Sequence, residues 1–150
     1  MAIVNDPVIL EIATRYLGFR PKYFRDRLWF SFPGNYDVSL RRHMNQTVDF
    51  HFDLPGSQFT FFYASFYLSN VDENSGPHTM IKGSHRQKPF NMKLSRSRRS
   101  EVEINGAYGP EKEIIITGKA GTGFLEDASC YHRALAPTKH ERLMLQIRYF

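Results

Sequence analysis

A mainly β domain with one short N-terminal helix is the fold class that this 150-residue sequence predicts. Two observations predict it. Short apolar runs bounded by Gly, Pro, Asn or Asp recur along the chain at about 27–32, 47–53, 59–69, 78–82, 112–117, 121–126, 130–135 and 142–149. A helical period, by contrast, is confined to the first residues, where Ile9, Ile12, Ala13 and Tyr16 stand on one helical face, Ile9 three and four residues before Ile12 and Ala13, and Tyr16 four and three residues after them.

The helix has both of its ends written in the sequence. Asp6 can cap it, Pro7 suits its first turn, and Gly18 supplies the stop. It is expected to pack outside the strands. Among these, the run Thr47-Val-Asp-Phe-His-Phe-Asp53 alternates, so Val48, Phe50 and Phe52 face one way while Thr47, Asp49, His51 and Asp53 face the other. Such a strand buries an aromatic face and lines a cavity with its polar one. The run from Phe59 to Leu68 is apolar on both faces and belongs in the middle of a sheet. Eight strands are the number that a jelly-roll requires.

At this length the chain is one domain, 1–150, large enough to bury a real core. No apolar run approaches the ~20 residues that span a bilayer, and the N-terminus has neither a basic region nor an apolar core of a leader. A cytoplasmic protein without a membrane partner is therefore expected. The single cysteine, Cys130, excludes an internal disulfide framework and reads as a buried structural thiol.

The net charge of +5 is local in origin. Lys82, His85, Arg86, Lys88, Lys93, Arg96, Arg98 and Arg99 crowd one stretch, which reads either as a solvated loop or as an electropositive lid over an anionic small molecule. Nucleic acid is disfavoured, because 94–100 interleaves no aromatic residue that could stack a base. Gly76-Pro77 and Gly83-Ser84-His85 read as turns.

Chemistry concentrates in two segments far apart in the chain, His51-Phe-Asp53 and Tyr131-His-Arg133. His51 and Asp53 project from the same face of a strand and can grip one metal ion, and His132 can supply a third ligand. Two imidazoles and one carboxylate on one face of an iron ion leave positions open for a chelating co-substrate and dioxygen. Asp127 is placed to order the loop before His132, and Asp49 to support the His51 ring.

Taken in order, His51-x-Asp53, Gly76-Pro-His-Thr-Met-Ile-Lys-Gly-Ser-His85, Gly121-Thr-Gly-Phe-Leu-Glu-Asp127 with His132-Arg133, and Arg142-Leu-Met-Leu resemble the phytanoyl-CoA dioxygenase-like branch of the iron(II)/2-oxoglutarate oxygenases. The resemblance covers roughly residues 27 to 150. It implies a double-stranded β-helix of cupin type, Fe(II) held by His51, Asp53 and His132, and a 2-oxoglutarate carboxylate held by Arg142. A planar guanidinium fork makes paired bonds that lysine does not reproduce. It also implies a dioxygenase that hydroxylates its substrate, since halogenating relatives replace the carboxylate that Asp53 retains.

Two departures from the family pattern stand out. The first strand candidate already opens at residue 27, so the helical buttress is short or missing, through a minimal version of the domain or a missing part of the chain, and a short buttress that bares an apolar sheet face would favour self-association. Ala134 stands where a hydroxyl residue often helps to hold the co-substrate. Two other readings remain: a metal-binding cupin that is not an oxygenase, and a degenerate jelly-roll acting as a binding module.

Overall fold

A computed structural model describes residues 3–43, 48–53, 61–93 and 98–150. The first helix, α1 (Pro7–Leu17), begins and ends where the sequence places it: the Asp6 carboxylate accepts from the Val8 and Ile9 amides, and Gly18 stops the helix at φ 79°. Three short helices follow that the periodicity does not announce, α2 (Val38–His43), α3 (Phe90–Lys93) and α4 (Glu101–Tyr108). The last of these carries a readable start signal, a capping box in which Ser100 and Glu103 satisfy each other's backbone amides.

Among the described residues, seven strands form two antiparallel sheets. The larger joins β1 (Phe24–Ser31), β7 (Arg142–Tyr149), β2 (Phe62–Tyr67) and β5 (Gly123–Asp127) in that order. The smaller joins β4 (Glu113–Ile116), β3 (His78–Ile81) and β6 (His132–Ala134). The doubly apolar run does lie inside a sheet, β2 being flanked by β7 and β5; its first residues, 59 and 60, lie outside the described ones.

The strand expected at 47–53 is a correction. Residue 47 lies outside the described residues, and the remainder forms only isolated bridges, Phe50 with Arg99 on one side and His51 with His132 on the other. Successive residues turn to different partners, so no continuous ladder develops. The alternation survives nonetheless: Phe50 and Phe52 are buried while Asp49, His51 and Asp53 are half-buried.

Register sorts the larger sheet into two faces. Phe62, Ala64, Ile147 and Tyr149 pack under Val4 and Ala13, so α1 covers the outside of the sheet. Arg27, Trp29 and Ser31 of β1 share the other face with Arg142, Met144, Gln146 and Arg148 of β7, Tyr63 and Tyr67 of β2, and Glu126 of β5. That face meets the smaller sheet, where the Tyr67 hydroxyl donates to the Ile116 carbonyl at 2.9 Å and accepts from the His78 amide at 2.9 Å. At the edge of the larger sheet, Phe24, Leu28 and Phe30 of β1 are exposed. No helix among the described residues is long and apolar enough to cross a membrane.

Candidate metal centre and neighbouring cavity

His51, Asp53 and His132 converge. One ligand atom from each lies within 4.8 Å of the other two, and the two imidazole rings meet edge-on with centroids 4.4 Å apart. Backbone pairing brings them together: the His51 amide donates to the His132 carbonyl at 3.0 Å, the reverse bond is 2.8 Å, and the Asp53 amide donates to the Ala128 carbonyl at 2.8 Å. A bridge between residues 81 positions apart thus joins the two segments.

Each of the three side chains is oriented from behind. His51 Nδ1 donates to the Asp49 carbonyl at 3.1 Å, which leaves the Nε2 lone pair for a metal. The expected support from Asp49 therefore comes from its main chain, since its carboxylate is paired with Arg42. The Asp53 carboxylate accepts from the Tyr63 hydroxyl at 2.7 Å, and that hydroxyl accepts from Arg148 at 2.6 Å. Burial and the Asp53 charge both raise the Tyr63 pKa, so the phenol keeps its proton for this bond.

His132 is the most deeply set of the three, and its Nδ1 lies 3.0 Å from the Cys130 carbonyl and 2.7 Å from Glu126 Oε1. Glu126, only 2 % exposed, also places its other oxygen 3.1 Å from His78 Nε2. One carboxylate in the core thus stands between two imidazoles. Burial alone would push the Glu126 carboxyl up, but His78 and His132 hold it well below the usual carboxylate range. Burial would likewise lower His132, yet Glu126 and then Asp53 raise it to about 9 before any metal binds. For His51, burial followed by the neighbouring His132 lowers the pKa.

Sequence reading passed over Glu126 and His78. The signal was present, because Glu126 is a charged residue in an alternating strand, on the face that β2 fills with Tyr63. An outer carboxylate of this kind fixes the imidazole tautomer and raises its basicity as a ligand. Glu126→Gln is expected to weaken Zn(II) or Co(II) affinity by about 10- to 100-fold, read by competition with a chelating dye. An unchanged affinity would reduce Glu126 to core packing.

Lys88 and Ser84, from the stretch between Lys82 and Lys93, brace the site from behind. Lys88 is buried, with Nζ 3.4 Å from the centre of the Phe52 ring, 4.4 Å from that of Tyr131, and 2.7 Å from the Ser129 carbonyl that it donates to. Burial pulls its pKa down to about 8. Ser84, in the expected turn, accepts from the Tyr131 amide at 2.8 Å. Asp127 does order the loop before His132, accepting from the Ser129 amide and hydroxyl at 2.8 and 2.6 Å. Cys130 is buried as expected, and burial raises its pKa. His85 is exposed, Arg99 pairs with Glu103, and Arg96 lies outside the described residues.

Arg142 lies on the wall of a neighbouring cavity of about 640 Å³, within the range of small-molecule pockets, which none of His51, Asp53 and His132 lines. Ala134 lines the same cavity, two residues beyond His132 on one face of β6. No described residue between 82 and 99 lines it. Arg142 is 2 % exposed; its terminal nitrogens donate to the Gly76 carbonyl and, at 3.1 Å, to Ser31 Oγ, while its Nε has no partner. It forms no ion pair among the described residues, and burial lowers its pKa. A buried cation without a counter-ion is costly, and an incoming anion would relieve it.

No family model and no curated protein sequence matches the chain. Solved structures do. The chain is similar to SnoK, a non-heme alpha ketoglutarate dependent carbocyclase from nogalamycin biosynthesis, with a TM-score of 0.67 at 17 % identity over 94 % of this chain and 55 % of that one. It is also similar to EvdO2 from Micromonospora carbonacea var. aurantiaca complexed with 2-oxoglutarate (TM-score 0.65, 15 % identity, 94 % of this chain, 57 % of that one). SnoN, a non-heme alpha ketoglutarate dependent epimerase from nogalamycin biosynthesis, gives 0.63 at 18 % identity over 99 % and 54 %. The chain therefore shares its fold with non-heme 2-oxoglutarate-dependent enzymes. It spans a little over half the length of these three.

Proposed function

We propose that this chain is an iron(II)- and 2-oxoglutarate-dependent dioxygenase of the phytanoyl-CoA dioxygenase-like kind, hydroxylating a small anionic molecule. The observation that carries the reading is the convergence of His51, Asp53 and His132, whose ligand atoms lie within 4.8 Å of one another. Two nitrogens and one oxygen are the donor set of a non-heme iron(II) oxygenase site with open positions. Bound there, iron and 2-oxoglutarate together supply the activation of dioxygen. The chain's own residues hold the donors: Asp49 and Glu126 turn the imidazoles, Tyr63 fixes the carboxylate, and Phe52 and Tyr131 shield the site from behind. Arg142, buried and without a counter-ion among the described residues, suits the distal carboxylate of 2-oxoglutarate. The exposed apolar residues of β1 fit a chain that associates with itself.

Anaerobic titration separates the readings. Fe(II) followed by 2-oxoglutarate is expected to give a metal-to-ligand charge-transfer band near the visible region. Iron binding without that band would favour a cupin that is not an oxygenase, and failure to bind iron would favour a binding module.

A further inference from the structure

The cavity beside Arg142 has a chemical character that narrows the substrate. Among the described residues that line it are two arginines and no carboxylate, and its aromatic wall includes Trp29, Phe32 and Tyr36. Apart from the guanidinium groups, the described lining residues carry as side-chain polar groups the hydroxyls of Ser31 and Tyr36 and the indole N–H of Trp29. A polyol or sugar would lose its water there and find few side-chain partners. A flat ring would lose little, because aromatic walls offer stacking contacts to any π-face.

The two arginines are not equivalent. Arg142 is buried and already engaged by Gly76 and Ser31. Arg27 is exposed, stands two residues from Trp29 on the same face of β1, and makes no hydrogen bond or ion pair among the described residues. Arg27 is thus the cation that an incoming molecule meets first. The aromatic wall is also built in place. Tyr36 lies against Gly34, where any Cβ would collide with its ring, and the Arg41 guanidinium sits 5.5 Å from the centre of that ring. A residue larger than glycine at 34 would displace the tyrosine.

We infer that this cavity takes a flat, ring-bearing, largely apolar molecule with one anionic group, Arg27 recognising the charge and Trp29 and Tyr36 holding the ring. The inference rests on the oxygenase reading for the term substrate, but the cavity's binding preference stands on its own lining. It moves anion recognition from the basic stretch 82–99, none of whose described residues reach the cavity, to a strand of the larger sheet.

Trp29 is the only tryptophan in the chain, so its fluorescence reports on binding at this wall. The full chain, without metal or 2-oxoglutarate, is titrated with 2-naphthoate, with the neutral naphthalene-2-methanol, and with glucuronate, an anion bearing hydroxyls in place of the ring system. Saturable quenching is expected with naphthoate, about tenfold or more tighter than with the alcohol, the scale of one charge-assisted hydrogen bond. Glucuronate should bind at least as weakly as the alcohol. Arg27→Gln should remove naphthoate's advantage and leave the alcohol unchanged, and Tyr36→Leu should weaken both ring compounds.

Equal affinity for naphthoate and the alcohol, or naphthoate binding unaltered by Arg27→Gln, would overturn the role of Arg27. Glucuronate binding as tightly as naphthoate would overturn the preference for a flat apolar ring. Because Arg27 is an exposed side chain without partners among the described residues, its replacement leaves the fold intact. Naphthoate selectivity without a charge-transfer band in the iron titration would uphold the cavity and sink the oxygenase reading, whereas the band without selectivity would do the reverse.

Discussion

Asp53→Ala is expected to abolish 2-oxoglutarate turnover and to weaken Fe(II) or Co(II) binding by about 100-fold or more, at least the upper end of what outer-sphere changes cost. The carboxylate is the one anionic donor in the cluster, so its removal leaves two neutral imidazoles facing a dication. The fold should tolerate the change. The Asp53 side chain is 37 % exposed, and its partner Tyr63 keeps a 2.6 Å bond from Arg148. The lost bond therefore costs about 1 kcal/mol. Metal titration and thermal unfolding on the same sample separate the two effects: metal affinity should collapse while the melting temperature of the metal-free protein moves little. Metal binding close to that of the parent would mean that His51 and His132 hold the ion with a different third ligand.

Much of this centre was legible in the sequence, for a definite reason. His51 and Asp53 stand two residues apart in an alternating run, and the alternation holds even where no continuous ladder forms, because burial of Phe50 and Phe52 alone fixes which way the polar residues point. Arg142 was legible in the same way, on the face of β7 that it shares with Met144. What could not be read was partnership across the fold. Glu126 and His132 are six residues apart, yet they meet because β5 and β6 lie in different sheets that face each other. Lys88 looked like one more solvated cation in a basic stretch. Its long apolar stem lets the ammonium reach between Phe52 and Tyr131, a choice decided by rings 36 and 43 positions away in the chain. The short helices escaped for a local reason: four to eight residues hold too few turns for a hydrophobic period to show.

Arg142→Lys is expected to raise the Kd for 2-oxoglutarate about tenfold to a hundredfold while sparing Fe(II) affinity. The guanidinium already divides its terminal nitrogens between the Gly76 carbonyl and Ser31 Oγ, and its planar fork still has N–H groups to direct at a carboxylate. A lysine ammonium keeps the charge but offers one nitrogen in place of three. To reach the carboxylate it must release Gly76 or Ser31, and to keep them it must forgo the carboxylate. One charge-assisted hydrogen bond lost is worth ~1.5–3 kcal/mol, which converts to the tenfold to hundredfold range. Arg142 makes no hydrogen bond to His51, Asp53 or His132, so metal affinity without 2-oxoglutarate should stay at the parent value. Anaerobic titration of the charge-transfer band reads both quantities in one experiment. A Kd equal to that of the parent would move the anchor elsewhere, and Arg148 is the next guanidinium on that face of β7. It is already bonded to Tyr63, so an anchor there would have to break the 2.6 Å contact that steadies Asp53 from behind, coupling co-substrate binding to the metal ligand itself.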